Sequence, residues 1–229
     1  MAAVRLFHAA SPVSARTWGL QPALARLRLV YGGEIAIVEA VVVERRLDAG
    51  AAFANIAARR QGPSAGRRFL REVLRRTVIE HASASRDELL GAAGGARLDP
   101  ERFARDLRDR AGLRRDLAEQ PLLPRGCVPG ILVLGTATRP PRPLADARPV
   151  AIERAVEEAT AGALAKRPPV DVVAYLREHG PASGEEVGRV FAVAAEEAVR
   201  MLEGLRRVGL AVHRRVAGEL WWCARQEPS

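Results

Sequence analysis

The start of the chain combines a hydrophobic pattern typical of strands with one typical of an amphipathic helix. A short apolar run, Val4 to Phe7, leads into Ser11-Pro12-Val13-Ser14, which we call the corner. Apolar residues then recur every three or four positions from Trp18 to Tyr31, which predicts one buried face of a helix that Ser14 can cap. A β-branched run over residues 34–44 predicts a buried strand and completes a βαβ unit with a parallel strand pair.

The middle of the chain, residues 48–120, predicts a series of short helices. Ser85, followed by a glutamate three positions later, is a capping-box pattern. Asp99-Pro100 places a cap and a proline at the start of another helix. An amphipathic helix over residues 151–165 is expected to close a first domain spanning residues 1–165, with the helical block inserted at about 48–120.

The spacing of apolar residues changes after position 169. Residues 166–169 are basic and rich in proline, which predicts a linker. Residues 170–229 predict three helices and a hairpin, and the third helix, 194–208, turns Leu202 and Leu205 inward and ends at Gly209. Three helices followed by a hairpin resemble a winged helix–turn–helix module. We therefore predict an α/β protein with a small second domain.

Charge and cysteine content narrow the candidate functions. The formal charge is +9, and the chain from Lys166 onward has ten basic and nine acidic residues, so the excess lies in the first domain. Such a charge can attract nucleic acid or acidic partners without specifying which. The two cysteines are far apart and histidines are few, so no metal site is expected. We expect no signal peptide, because Arg5 and His8 interrupt the start of the chain and leave it without a long apolar core. We expect no membrane partner, because no apolar run approaches the roughly 20 residues of a membrane span, and we therefore expect a cytoplasmic location.

The corner and the helical block resemble the DsbA-like group of thioredoxin-fold proteins. In that group the corner reads Cys-Pro-x-Cys, and the inserted helices include a Leu-Asp-x-x-x-Phe segment like residues 98–103. Here Ser11 and Ser14 replace both cysteines. The corner is also similar to the Ser-Pro-x-Ser of kappa-class glutathione transferases and chromene-carboxylate isomerases, in which the first serine faces the thiol of glutathione. The resemblance implies a thioredoxin fold with an inserted helical domain.

The same resemblance assigns a role to the residues before the next predicted strand. In thioredoxin folds a Val-Pro with a cis bond faces the corner, and its preceding backbone groups pair with bound peptide or glutathione. Val128-Pro129 stands at that position, followed by Gly130 in place of the usual threonine, and Cys127 precedes it. His8 and Trp18 flank the corner in the sequence and complete the candidate ligand site, as a base and a platform or as core residues.

Three functions stay open from the sequence. The first is a peptide- or protein-binding or regulatory protein without redox activity, because serine cannot replace the thiolate of a dithiol. The second is an enzyme that uses Ser11, either a glutathione-dependent transferase or isomerase or another enzyme of the disulfide-oxidoreductase family. Ser14 and Cys127 are further candidates for its catalytic residues, and glutathione would be the cofactor. The third is a DNA-binding regulator, with Arg214 and Arg215 on the hairpin facing a phosphate backbone, although Glu196 and Glu197 open the third helix. Whether the protein is an enzyme or a homo-oligomer is left undecided.

Overall fold

The computed structural model describes residues 4–45, 48–136, 139–167 and 171–225. These residues form two compact units. The first, which we call the corner unit, holds residues 4–20 and 36–145. The second, the C-terminal unit, holds residues 21–35 and the chain from Asp146 onward. The predicted linker, residues 166–169, lies partly outside the described residues, and the predicted domain boundaries stay predictions.

A four-stranded sheet with the order β2-β1-β3-β4 lies at the centre of the corner unit. β1 is an interior strand, antiparallel to β3 with Leu6 opposite Leu134. Helices α2 to α6 occupy the chain between β2 and β3. The elements are β1 (Val4–Ala10), α1 (Ala15–Tyr31), β2 (Ile35–Val41), α2 (Ala49–Arg59), α3 (Pro63–Leu74), a π-helical turn (Arg75–Ile79), α4 (Arg86–Gly95), α5 (Pro100–Arg108), α6 (Arg110–Ala118), β3 (Leu132–Thr136) and β4 (Arg142–Pro143).

The inserted helices begin where their local signals predict. The Ser85 hydroxyl accepts the Glu88 N–H at 3.3 Å, and the Asp99 carboxylate accepts the Arg102 N–H at 3.0 Å. Both caps satisfy a backbone donor that the first turn of a helix leaves without a partner. Phe69 of α3 and Phe103 of α5 are fully buried with ring centroids 5.1 Å apart, at the centre of the insertion's own core.

The C-terminal unit is built from helices and a second, three-stranded sheet of order β5-β7-β6, antiparallel throughout. Tyr175, Leu202 and Trp222 are fully buried in its core, together with Ala25 and Leu29 from the second half of α1. Its elements are α7 (Pro149–Thr160), α8 (Val172–His179), β5 (Ala182–Ser183), α9 (Gly184–Phe191), α10 (Ala195–Arg207), β6 (Ala211–Val216) and β7 (Glu219–Ala224).

Gly209 follows the last turn of helix α10 and terminates the helix, as predicted. Gly209 has φ +77°, and its N–H donates to the Arg206 carbonyl at 3.0 Å. The N–H of Leu210 donates to the Leu205 carbonyl at 2.9 Å. These two bonds form a Schellman motif. The motif favours glycine at this position because the residue there adopts the left-handed backbone conformation. Leu205, predicted to face inward, is only half-buried.

An ion cluster joins the second half of α1 to α7 and α9 inside the C-terminal unit. Arg26 donates to Glu153 at 2.6 Å and to the Val190 carbonyl at 2.8 Å, and Lys166 lies 2.8 Å from Glu153. Burial alone would raise the pKa of the Glu153 carboxyl, but the two cations hydrogen-bonded to it hold that pKa below its usual value. Helix α1 therefore contributes to both units.

Candidate functional site

The corner follows directly from the interior strand β1. The Ser14 N–H donates to the Ser11 carbonyl at 3.2 Å, which closes a turn with Pro12 at its second position, where the fixed φ of proline is favoured. The first bond of α1 runs from the Trp18 N–H to the Ser14 carbonyl at 3.0 Å. The capping role of the Ser14 side chain stays a prediction.

The loop before β3 consists of two successive turns. The Cys127 N–H donates to the Pro124 carbonyl at 3.1 Å, and the Ile131 N–H donates to the Val128 carbonyl at 3.0 Å. No peptide bond among the described residues is cis, so the prediction of a cis Val128-Pro129 bond is wrong. Pro129 and Gly130 are the central residues of the second turn, and Gly130 has φ +88°. Proline followed by a residue of positive φ is the signature of a type II turn, which uses trans proline.

The two segments that the resemblance relates do come together in the structure. A Cβ added to Gly130 would lie 2.5 Å from the Cβ of Arg16, in the first turn of α1. The Cys127 sulfur is hydrogen-bonded by the backbone of Ala9, the residue before the end of β1. Gly130 thus replaces threonine for two physical reasons, its left-handed φ and its close approach to α1.

Changing Gly130 to threonine, the residue usual in this fold, should therefore destabilise this chain by about 2–3 kcal/mol. A β-branched residue is strained at positive φ, and its Cβ needs Arg16 to move. Urea unfolding of the two proteins measures the difference. Gly19→Thr is the control, because Gly19 is a helical residue of the same unit with nothing within 4 Å of an added Cβ. An equal effect of both substitutions would contradict the turn geometry.

A buried polar chain begins at His8 and leads away from the corner. His8 is fully buried, and its Nδ1 lies 3.1 Å from Oε2 of Glu39 on β2. The other carboxylate oxygen of Glu39 accepts from Nη2 of Arg59 on α2 at 2.7 Å. Arg59 also donates to the Glu39 carbonyl at 3.1 Å and to Asn55 Oδ1 at 3.0 Å. Burial lowers the pKa of Arg59, while the ion pair with Glu39 opposes that shift.

Two polar atoms beside the corner lack partners within the described protein. They are Nε2 of His8 and Oγ of Ser11, and both residues are fully buried. If the His8 Nδ1–H donates to Glu39, Nε2 carries a lone pair and can only accept. The backbone N–H of Ser11 is occupied, since it donates to Thr17 Oγ1 at 3.1 Å. The Ser11 hydroxyl is thus placed where solvent does not reach it.

Cys127 and Trp18 occupy less enclosed positions. Cys127 is half-buried, and burial raises the pKa of its thiol, although the hydrogen bond from Ala9 lowers it part of the way. Trp18 is half-buried against Ala10, Leu70 and Leu74, with the Arg71 guanidinium 5.2 Å from its ring centroid. Val128 is 46% exposed, whereas Pro129 is buried. Val128 is therefore the apolar side chain that this loop presents at the site.

The candidate nucleic-acid residues lie in the C-terminal unit. Arg214 and Arg215 are exposed on β6, and Arg215 donates to the Gly218 carbonyl of its own hairpin at 2.8 Å. Glu196 and Glu197 are exposed in the first turn of α10, as predicted. Three exposed arginines, Arg200, Arg206 and Arg207, follow on the same helix. The charge of α10 therefore changes from acidic to basic along its length.

Sequence reasoning missed Glu39 and Arg59. They lie 31 and 51 positions from His8, and no short motif joins them. One signal was present, because Glu39 interrupts an otherwise apolar run predicted to be a buried strand. A charge in such a run needs a partner. Among the described residues, no three His, Cys, Asp or Glu side chains are grouped as a metal site would require.

Comparisons with known proteins bear on the fold. No protein-family model matches the chain, and no curated protein does. A solved structure that matches is that of a putative protein disulfide isomerase from Nitrosomonas europaea, with a TM-score of 0.52, at 11% identity, over 70% of this chain and 98% of that one. Across the described ranges, no helix has the length and apolar character to cross a bilayer. At this identity the likeness extends to the fold alone: the chain has a thioredoxin-like fold.

Proposed function

We propose that this protein is a thioredoxin-fold protein without redox activity, of the DsbA-like type, which binds a peptide or protein segment beside the corner. The observation that carries the proposal is the corner itself. Ser11 and Ser14 stand at both cysteine positions, and the one cysteine of the corner unit, Cys127, has a thiol whose pKa burial raises. Dithiol exchange needs two thiols and a thiolate nucleophile, so this site is suited to binding.

The loop geometry suggests how a segment would bind. In related folds the backbone before the proline pairs with the ligand, but here the Val128 carbonyl already accepts the Ile131 N–H. Recognition would then rely on side chains, with the exposed Val128 offering an apolar contact and the exposed Arg16 a cation beside Gly130. An extended segment with an apolar side chain next to an acidic one fits this surface.

A glutathione-dependent transferase or isomerase is the alternative that uses Ser11. It requires the hydroxyl to meet the thiol of glutathione. Ser11 is fully buried, so an external thiol reaches it only after the corner rearranges. The burial of Ser11 therefore favours the binding protein over the enzyme.

We also propose that the C-terminal module is a winged helix–turn–helix that does not read DNA. The order α8, β5, α9, α10 and the hairpin β6–β7 supports the first part. The second rests on charge, because Glu196 and Glu197 occupy the first turn of the helix that would meet base edges and would repel phosphate. Arg214 and Arg215 remain available for a backbone contact if DNA does bind.

The redox part of the proposal is tested with insulin reduction by dithiothreitol, followed by turbidity. The wild-type chain should give no acceleration. Ser11→Cys with Ser14→Cys rebuilds Cys-Pro-Val-Cys on the same scaffold and should gain activity, which makes it the matched control. Wild-type turnover that survives Cys127→Ser would falsify the claim. Turnover lost in Cys127→Ser would instead make Cys127 the reactive group.

The binding part is tested with a displayed library of extended peptides, panned on the full chain. Peptides selected in this way should bind Val128→Asp at least about tenfold more weakly, a loss of roughly 1.4 kcal/mol. Leu90→Asp, at an exposed apolar residue of α4, should leave their affinity unchanged. If the selected peptides bind the wild type and Val128→Asp equally well, this surface is not the binding site. Calorimetry with glutathione distinguishes the binding protein from the enzyme. If the wild type binds glutathione and Ser11→Ala does not, the result supports the transferase or isomerase.

A further inference from the structure

Helix α10 carries two apolar stripes. One is fully buried inside its own unit, whereas the other is buried there only in part, through Leu205. Ala198 and Leu202 are fully buried in the core. The second, which we call the outer stripe, comprises Met201, Gly204, Leu205 and Val208, spaced three or four apart and so sharing one face of the helix. Met201 is 38% and Val208 69% exposed. The outer stripe therefore lies on the surface of the unit.

The outer stripe forms one side of an apolar groove of about 810 Å³. Three of its residues line the groove together with Val172, Val173, Phe191 and Leu210, and Asp171 and Arg177 lie at its polar edge. Five of the ten exposed large apolar side chains among the described residues fall between positions 199 and 212. Apolar surface concentrated in this way indicates an interaction site.

Gly204 lies in the middle of this stripe. A glycine in the interior of a helix destabilises that helix, so we expect this glycine to serve a structural purpose. No atom lies within 4 Å of a Cβ added there, so nothing inside the chain requires a glycine. The missing side chain leaves a depression between Met201 and Val208 that another helix can fill.

The outer stripe is complementary to itself. Consider a second copy of α10 that runs antiparallel, related by a two-fold axis that passes between positions 204 and 205. Each residue before the axis then faces the residue of the second copy that lies the same number of positions after the axis. Met201 then meets Val208 of the second copy, and Leu205 enters the depression at Gly204. Glu203 meets Arg206, its opposite in charge. Apolar, steric and ionic features therefore match in one register.

We propose that this protein is a homodimer whose two α10 helices pack antiparallel through the outer stripe. The chain from Lys166 onward is nearly neutral, with ten basic and nine acidic residues, so the segments that contain the two α10 helices repel each other little. Glu203 and Arg206 of one chain are already paired at 2.8 Å, so dimerisation joins two ion pairs into a group of four charges. The interface consists of the outer stripe of α10 from each copy.

The test is sedimentation velocity with light scattering on the full chain at roughly 1–100 µM. The wild type should have about twice the monomer mass of 24.7 kDa. Gly204→Arg fills the depression and should weaken the dimer at least about tenfold. Gly19→Arg is the matched control, a helical glycine of the corner unit with equally open space, and should stay dimeric. Circular dichroism shows whether each variant is folded.

A charge exchange tests the register. Glu203→Arg and Arg206→Glu should each favour the monomer, because like charges then face each other across the axis, and the double variant should recover the dimer. A wild-type chain that is monomeric at 100 µM overturns the proposal, as does a dimer that Gly204→Arg leaves intact. A folded double variant that stays monomeric overturns the antiparallel register. A monomer that instead takes an amphipathic helix of another protein in this groove also overturns it.

Discussion

Replacing Glu39 by alanine should destabilise the protein by about 3–5 kcal/mol, because it leaves a largely buried guanidinium without its carboxylate. The Glu39 and Arg59 side chains are 12% and 24% exposed, and their closest atoms are 2.7 Å apart. The same change removes the acceptor that holds His8 Nδ1. Urea unfolding at neutral pH, with a constant slope against denaturant, measures the loss.

Two further variants make this prediction specific. Glu39→Ala combined with Arg59→Met removes both charges and should cost much less than the two single changes added together, because no unpaired cation remains. Glu158→Ala breaks an exposed ion pair of α7, with side chains 79% and 57% exposed, and should change stability little. If Glu39→Ala behaves like Glu158→Ala, the carboxylate does not organise the interior of the corner unit.

The parts of the fold that depend on neighbouring residues could be predicted from the sequence. Ser85 and Asp99 cap their helices because each reaches a backbone N–H only three residues away. Gly209 ends α10 because the last turn of a helix selects a residue that tolerates positive φ. The spacing of apolar residues from Trp18 to Tyr31 predicts α1 for the same local reason.

The corner was harder to predict, because family analogy competed with local turn chemistry. The resemblance implied a cis Val128-Pro129, whereas Pro129-Gly130 is itself the signature of a type II turn with trans proline. The contact of Gly130 with Arg16 joins positions 114 residues apart, so no local pattern could indicate it. Local turn residues therefore deserve more weight than a motif whose cysteines are absent.

Long-range ion pairs were the least predictable feature. Arg26 reaches Glu153 across 127 positions and the Val190 carbonyl across 164, and in this way α1 contributes to the core of the C-terminal unit. Its amphipathic pattern predicts that one face is buried without saying against which segment. The same limit applies to the outer stripe of α10. Spacing shows a second apolar face, but only the structure shows that Met201 and Val208 of that face stay exposed.

Replacing Leu202 by alanine should cost roughly 2–5 kcal/mol. Leu202 is fully buried in the core of the C-terminal unit, where Tyr175 and Trp222 are also fully buried, so truncation leaves a cavity that these large rings cannot readily close. The loss is measured by the unfolding of the full chain. Near-ultraviolet circular dichroism follows the three tryptophans, two of which, Trp221 and Trp222, lie in this unit.

The matched control for Leu202→Ala changes two residues that lie about one and a half turns earlier on the same helix. Glu196→Ala with Glu197→Ala removes two exposed acids. Each stabilises a helix N-terminus by about 0.3–1 kcal/mol at low salt and by less at physiological salt, so stability should change little. The same double variant also separates two partners. It should tighten a complex with DNA, where the acids repel phosphate, and weaken a complex with a protein that uses them as contacts. We expect the second result, and tight DNA binding by the wild-type chain would decide against it.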